Sequence, residues 1–248
     1  MRYFSHLSLI ALSVLFIFGS GCKRTYYNLM KLDSTTPLVY EVEIDTSKIK
    51  TFGGIDYGYI RGQFEGEKVD IFRVHYISTL TKKHSIFNLH LSAYAGRYLV
   101  SGLGPYSGGN FTAINYDGYK WAYGATASFK SGINFNFRDF RLGIGLEPMF
   151  ILEFGDYYSF RIEAAEQGVI SNEDGFANLL VNVFPYLSYY FDKNKLIAFQ
   201  ISLGLPGGIS PVLSYQSGSN IFWIGYIPTT IRFNVGYMKD FNSIKSQF

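Results

Sequence analysis

From Lys120 to Arg138 the chain alternates. Odd positions carry Trp121, Tyr123, Ala125, Ala127, Phe129, Ser131, Ile133, Phe135 and Phe137; even positions carry Ala122, Gly124, Thr126, Ser128, Lys130, Gly132, Asn134 and Asn136. A period of two sends successive side chains to opposite faces of a β-strand. The next segment repeats the pattern, with Leu142, Ile144, Leu146, Pro148, Phe150, Leu152 and Phe154 opposing Gly143, Gly145, Glu147, Met149, Ile151, Glu153 and Gly155. The same alternation marks 87–96, 197–205 and 230–237. It predicts ten strands, at about 53–64, 69–79, 85–97, 120–138, 141–155, 177–191, 195–205, 209–216, 220–227 and 230–241. Pro148 and Pro185 fall inside two of them and predict local bulges, because proline lacks a ladder donor. No convincing amphipathic helix follows Cys22. No repeat of 20–50 residues stands out, which argues against a propeller or solenoid.

Composition decides which face meets what. Of 248 residues, 48% are hydrophobic and 19% aromatic, and only 17% are charged, against roughly 25% charged in ordinary soluble domains. The polar faces are mostly Gly, Ser, Thr and Asn, which suits a crowded lumen better than open water. The apolar faces carry rows of Phe, Leu, Ile and Tyr, as a lipid-facing wall requires. Closing the sheet removes every edge, the condition for crossing a membrane with strands. A soluble periplasmic lipocalin-like carrier, the alternative, would put Lys and Glu outside. Two connections are short (Asp139–Phe140 and 192–194) and two are long (about 98–119 and 156–176). In all this the chain resembles small bacterial outer-membrane β-barrels. The resemblance implies an all-β, antiparallel up-and-down barrel of about ten strands, or eight, with short periplasmic turns and long external loops. Its N-terminus would then be periplasmic.

The first residues form an address. Arg2 precedes an apolar run, Leu7 to Phe18, and then Gly19, Ser20, Gly21 and Cys22. This is the layout of a secretory signal, and the run of about twelve residues falls short of the roughly 20 a membrane-spanning helix needs. Small residues before a lone cysteine resemble the lipobox of bacterial lipoproteins, which implies cleavage and lipidation at Cys22. The domain reading is a signal peptide over 1–21, a lipidated tether over 22–50 and the barrel over 51–248. The terminal Phe248, with Ile244 before it, resembles the aromatic ending that barrel-assembly machinery recognises.

Candidate chemistry is sparse. The net charge of +3 is scattered, so nucleic acid is not an expected partner. No cofactor or metal motif is present. Arg73, His75, His90, Lys130, Glu147, Glu153 and Arg232 fall on inward faces and predict a polar network filling the lumen. A two-residue turn at Asp139–Phe140 makes Lys130 and Glu147 diagonal neighbours within ion-pair reach. A turn centred on Lys82 and Lys83 places His75 directly opposite His90. Tyr106, Tyr116 and Tyr119 lie in or beside a loop rich in Gly, Ser and Asn, a composition suited to adaptable binding, so an extracellular ligand is a possible partner besides outer-membrane lipid. Glu147 and Glu153 stand too far apart on one strand for a glycosidase pair. The expectation is a structural or surface-binding barrel lipoprotein that is not an enzyme; a barrel enzyme acting on lipid or peptide is the alternative.

Overall fold

The computed structural model describes residues 24–32, 37–39, 49–62, 64–107, 113–172, 175–192, 194–204, 208–227 and 232–241. Ten antiparallel strands close into a barrel: β1 (Lys50–Arg61), β2 (Lys68–Lys82), β3 (Ser85–Val100), β4 (Gly118–Phe137), β5 (Phe140–Phe154), β6 (Ala177–Asp192), β7 (Lys195–Gly204), β8 (Gly208–Ser217), β9 (Asn220–Ile227) and β10 (Arg232–Asp240). Each pairs with its neighbours in sequence. β10 closes on β1, from Arg232 opposite Ile60 to Asp240 opposite Phe52, so the barrel has no free edge. The ten-strand, up-and-down expectation holds, with ends shifted by a few residues.

Alternation is obeyed along the wall. In β5, Leu142, Ile144, Leu146 and Phe150 are exposed, while Arg141, Glu147, Met149, Ile151 and Glu153 are buried. The outside is therefore apolar and the inside carries the charge. Exposed aromatics gather at both rims: Tyr119, Trp121, Tyr123, Phe154 and Phe176 at the end with the long loops, Phe137, Phe140, Phe191 and Phe222 at the end with the short turns. Two such girdles flank the apolar band of membrane barrels.

Three local expectations are corrected. The β4–β5 turn is Arg138–Asp139, with Phe137 opposite Phe140, not Asp139–Phe140. Arg138 takes φ 51, the left-handed region, there. The β2–β3 turn is Lys83–His84, with Lys82 opposite Ser85, so His75 stands opposite Ser92 rather than His90. Both shifts are two residues, which keeps every side chain on its own face. The prolines bring no bulge. Pairing lapses between Ser128/Met149 and Ser131/Leu146 beside Pro148, and between Val183/Leu203 and Tyr186/Gln200 beside Pro185. Each ladder resumes in unchanged register, so proline removes bonds without adding a residue. The register shift in β6 lies further on, between Tyr190 and Asp192.

The long connections are structured. Residues 101–117 hold a small antiparallel pair, Pro105–Ser107 with Ala113–Asn115. Residues 155–176 hold the helix α1 (Asp156–Glu166), which buries Tyr157, Phe160, Arg161 and Ala164. Those positions are spaced as one helical face, a signal masked by the arginine in the middle of it. Gly155 precedes the helix with φ 104, and a side chain there would strike Trp121 O. Tyr157 stacks on Tyr98 at 4.7 Å between ring centres, so the helix caps the long-loop end of the lumen.

Candidate functional site: a filled lumen

The interior is organised in layers of paired charge. Near the middle, Arg73 Nε donates to Asp56 Oδ1 at 2.6 Å. His75 Nε2 faces Asp56 Oδ2 at 2.9 Å, and His75 Nδ1 lies 2.8 Å from His90 Nε2. The Asp56–His75 approach is a charge contact without hydrogen-bond geometry. Asp56 Oδ2, His75 Nε2 and His90 Nδ1 are all buried without a hydrogen-bond partner among the described residues, while His75 Nδ1 and His90 Nε2 share one hydrogen bond. Ser92 Oγ bonds to Thr126 rather than to either imidazole.

A second layer centres on Glu147, which is fully buried. Lys130 Nζ lies 3.6 Å from its Oε1, Ser128 Oγ donates to it at 2.9 Å, and Asn182 Nδ2 donates to Oε2 at 3.3 Å. Toward the long loops, Arg161 of α1 donates to Glu153 Oε1 at 2.6 Å and to Asn172 at 2.7 Å. At that rim Glu67 accepts from the Tyr26 and Tyr98 hydroxyls, both at 2.5 Å. Near the short turns Arg141 donates to Asn136 and lies over the Tyr190 ring. Each ion is desolvated, and each partner offsets that cost.

The lumen is also filled by main chain. Tyr26, Leu29 and Met30 are buried among Ile60, Val69, Tyr98, Val100 and Phe160 at the long-loop end. Leu38 is buried beside Ile86, Phe184 and Leu196, and Val39 beside Phe52, Ile77 and Trp223, near the short turns. Inward-facing polar groups serve this segment's backbone. Leu29 N donates to Glu153 Oε2 at 2.8 Å, Leu38 N donates to Gln200 Oε1 at 2.8 Å, and Val39 O accepts from Thr79 and Asn88. Residues read from sequence as part of a tether thus lie inside the barrel. A backbone entering a dry interior must find partners, and the polar inner face supplies them.

The remaining candidates divide. Tyr116 is buried against Phe160, so it supports the loop from within and offers no exposed contact. Tyr119 is exposed at the rim, with the Arg97 guanidinium over its ring. The side chains of Tyr106 and Arg232, and all of Cys22, Ile244 and Phe248, lie outside the described residues. Sequence reasoning did not find Tyr26, Glu67, Tyr98 or Arg161. The first lies in a segment without strand periodicity, and the last two have partners that no local pattern reveals.

No protein-family model and no curated protein matches the chain. Among solved structures it is similar to the outer membrane protein OprG from Pseudomonas aeruginosa, at 11% identity and TM-score 0.37, over 80% of this chain and 97% of that one. It is also similar to the β domain of the Bordetella autotransporter Brka, at 13% identity and TM-score 0.33, over 78% and 98%. A third likeness is the translocator domain of the autotransporter NalP from Neisseria meningitidis, at 8% identity and TM-score 0.33, over 79% and 88%.

Proposed function

We propose that the chain is an outer-membrane β-barrel lipoprotein with a structural or surface-binding role, anchored through lipid on Cys22. The observation that carries this is the inverted wall. Phe72, Val74, Leu89, Ile144 and Leu146 face outward, while Asp56, Arg73, Lys130 and Glu147 are sealed inside. An exterior that apolar is stable only against lipid. Short turns face the periplasm and long loops the outside, as in other such barrels. The capped surface formed by 101–117 and 155–176 is the recognition surface for an extracellular ligand. A non-catalytic role is supported by the burial of His75 and His90, each 3% exposed. Assembly into the membrane falls to the barrel-assembly machinery.

Fractionation tests the reading. The protein should remain with outer membranes after high-salt and carbonate washes and should need detergent for release. Recovery in the soluble periplasmic fraction would refute it. Metabolic labelling with fatty acid tests the anchor separately: Cys22→Ala should lose the label, and unchanged labelling excludes that site.

A further inference from the structure

We infer that the segment whose described parts are residues 24–32 and 37–39 runs through the barrel from the long-loop rim to the short-turn rim, so the chain upstream of Arg24 leaves on the outer face of the membrane. The inference rests on the orientation proposed above and reverses the periplasmic N-terminus expected from the sequence.

The upper end is fixed by four contacts. Arg24 Nη1 donates to Ser101 O at 2.7 Å. Ser171 N donates to Arg24 O at 2.8 Å. Thr25 and Tyr26 pair in parallel with Ser171 and Asn172, and the Tyr26 hydroxyl bonds to Glu67. Ser101 and Ser171 belong to the two long loops, and Glu67 to the connection between β1 and β2 at the same rim. The lower end is fixed as firmly. Leu38 N bonds to Gln200, and Val39 O bonds to Thr79 and Asn88. Thr79 and Asn88 flank the short β2–β3 turn. β1 then begins at Lys50, opposite Thr79, at that same rim.

The direction of travel follows. Leu29 is held by Glu153, next to the upper end of β5, and Leu38 by Gln200, in the lower half of the wall. Nine residue steps reach at most about 30 Å when extended, enough for the descent. Cys22 stands only two steps before Arg24, a reach of about 7 Å. Acyl chains on Cys22 therefore enter the leaflet on the long-loop side. Reaching the periplasmic leaflet would need a second passage through an interior already occupied.

Single added cysteines, beside the native Cys22, and a membrane-impermeant maleimide test this on intact cells. Three variants are compared with the parent: Lys23→Cys upstream of the segment, Glu166→Cys at the long-loop rim and Lys195→Cys at the short-turn rim. Formation of the barrel is checked for each by its faster migration before heating. Labelling of Lys23→Cys and Glu166→Cys on intact cells, with Lys195→Cys labelled only after permeabilisation, is the expected result. Labelling of Glu166→Cys on intact cells while Lys23→Cys needs permeabilisation would overturn the threading and leave the orientation standing. Labelling of Lys195→Cys on intact cells while Glu166→Cys needs permeabilisation would overturn the orientation and this inference with it.

Discussion

A lysine ammonium sealed within the barrel persists because Glu147 stands opposite it. Removing one partner of a buried pair costs more than the pair contributes, because it strands the other charge. Lys130→Met should therefore destabilise the folded barrel by about 3–5 kcal/mol, and the double change Lys130→Met/Glu147→Leu should recover most of that. Urea unfolding in detergent measures both; equal costs for single and double variants would refute the coupling. At the rim, burial first and then the bond to Glu67 push the Tyr26 phenol well above its ordinary value. The folded state thus favours the neutral phenol. Its contribution should be whole well below pH about 10, where a free tyrosine is half ionised, and should fall as pH rises past that point. The stability difference between parent and Tyr26→Phe should stay constant well below pH about 10 and shrink above it. A flat difference through pH 11.5 would contradict that.

At the scale of elements, α1 is tied to the wall by the Arg161 guanidinium as well as by its aromatic face. Arg161→Ala removes the cation from Glu153 but leaves the Leu29 amide on its other oxygen. We expect destabilisation of about 3 kcal/mol and faster amide exchange across 156–166, with β2 and β3 unaffected. Unchanged exchange in the helix would show that its aromatic face alone holds it. The ten strands were legible because each has one apolar and one polar face, and the outward rows of Phe, Leu and Ile showed which face met lipid. The registers of β2–β3 and β4–β5 were not, since a slip of two residues leaves the faces unchanged. His75 and His90 still meet, now as diagonal neighbours. The helix was hidden by Arg161, a charge on its buried side whose partner lies in β5. The threaded segment was hidden more deeply, because Gln200, Thr79 and Asn88 bind its backbone and leave no pattern in its side chains.

The whole molecule behaves as a stoppered cylinder. A ten-strand barrel is narrow, and side chains together with residues 24–32 and 37–39 occupy its bore. The parent should conduct poorly in a planar bilayer. Deletion of 25–39, in a variant that still shows the compact unheated band, should raise conductance severalfold. Equal conductance from the two folded barrels would mean that the wall's own side chains suffice to block it. The seam between β1 and β10 gives the threaded segment a further meaning. That seam joins the first strand to the last, and the segment inside precedes the first in the chain. Tyr26, Met30 and Leu38 are buried among bulky inward groups on several strands, and threading them through an already closed cylinder would mean breaking those contacts. The leader should already lie in the groove of a half-curled sheet when β10 arrives. Folding is therefore expected in order: the inner segment is laid first, the wall wraps it, and the hydrogen bonds between β1 and β10 lock it in last, as a sleeve is sewn around its cord.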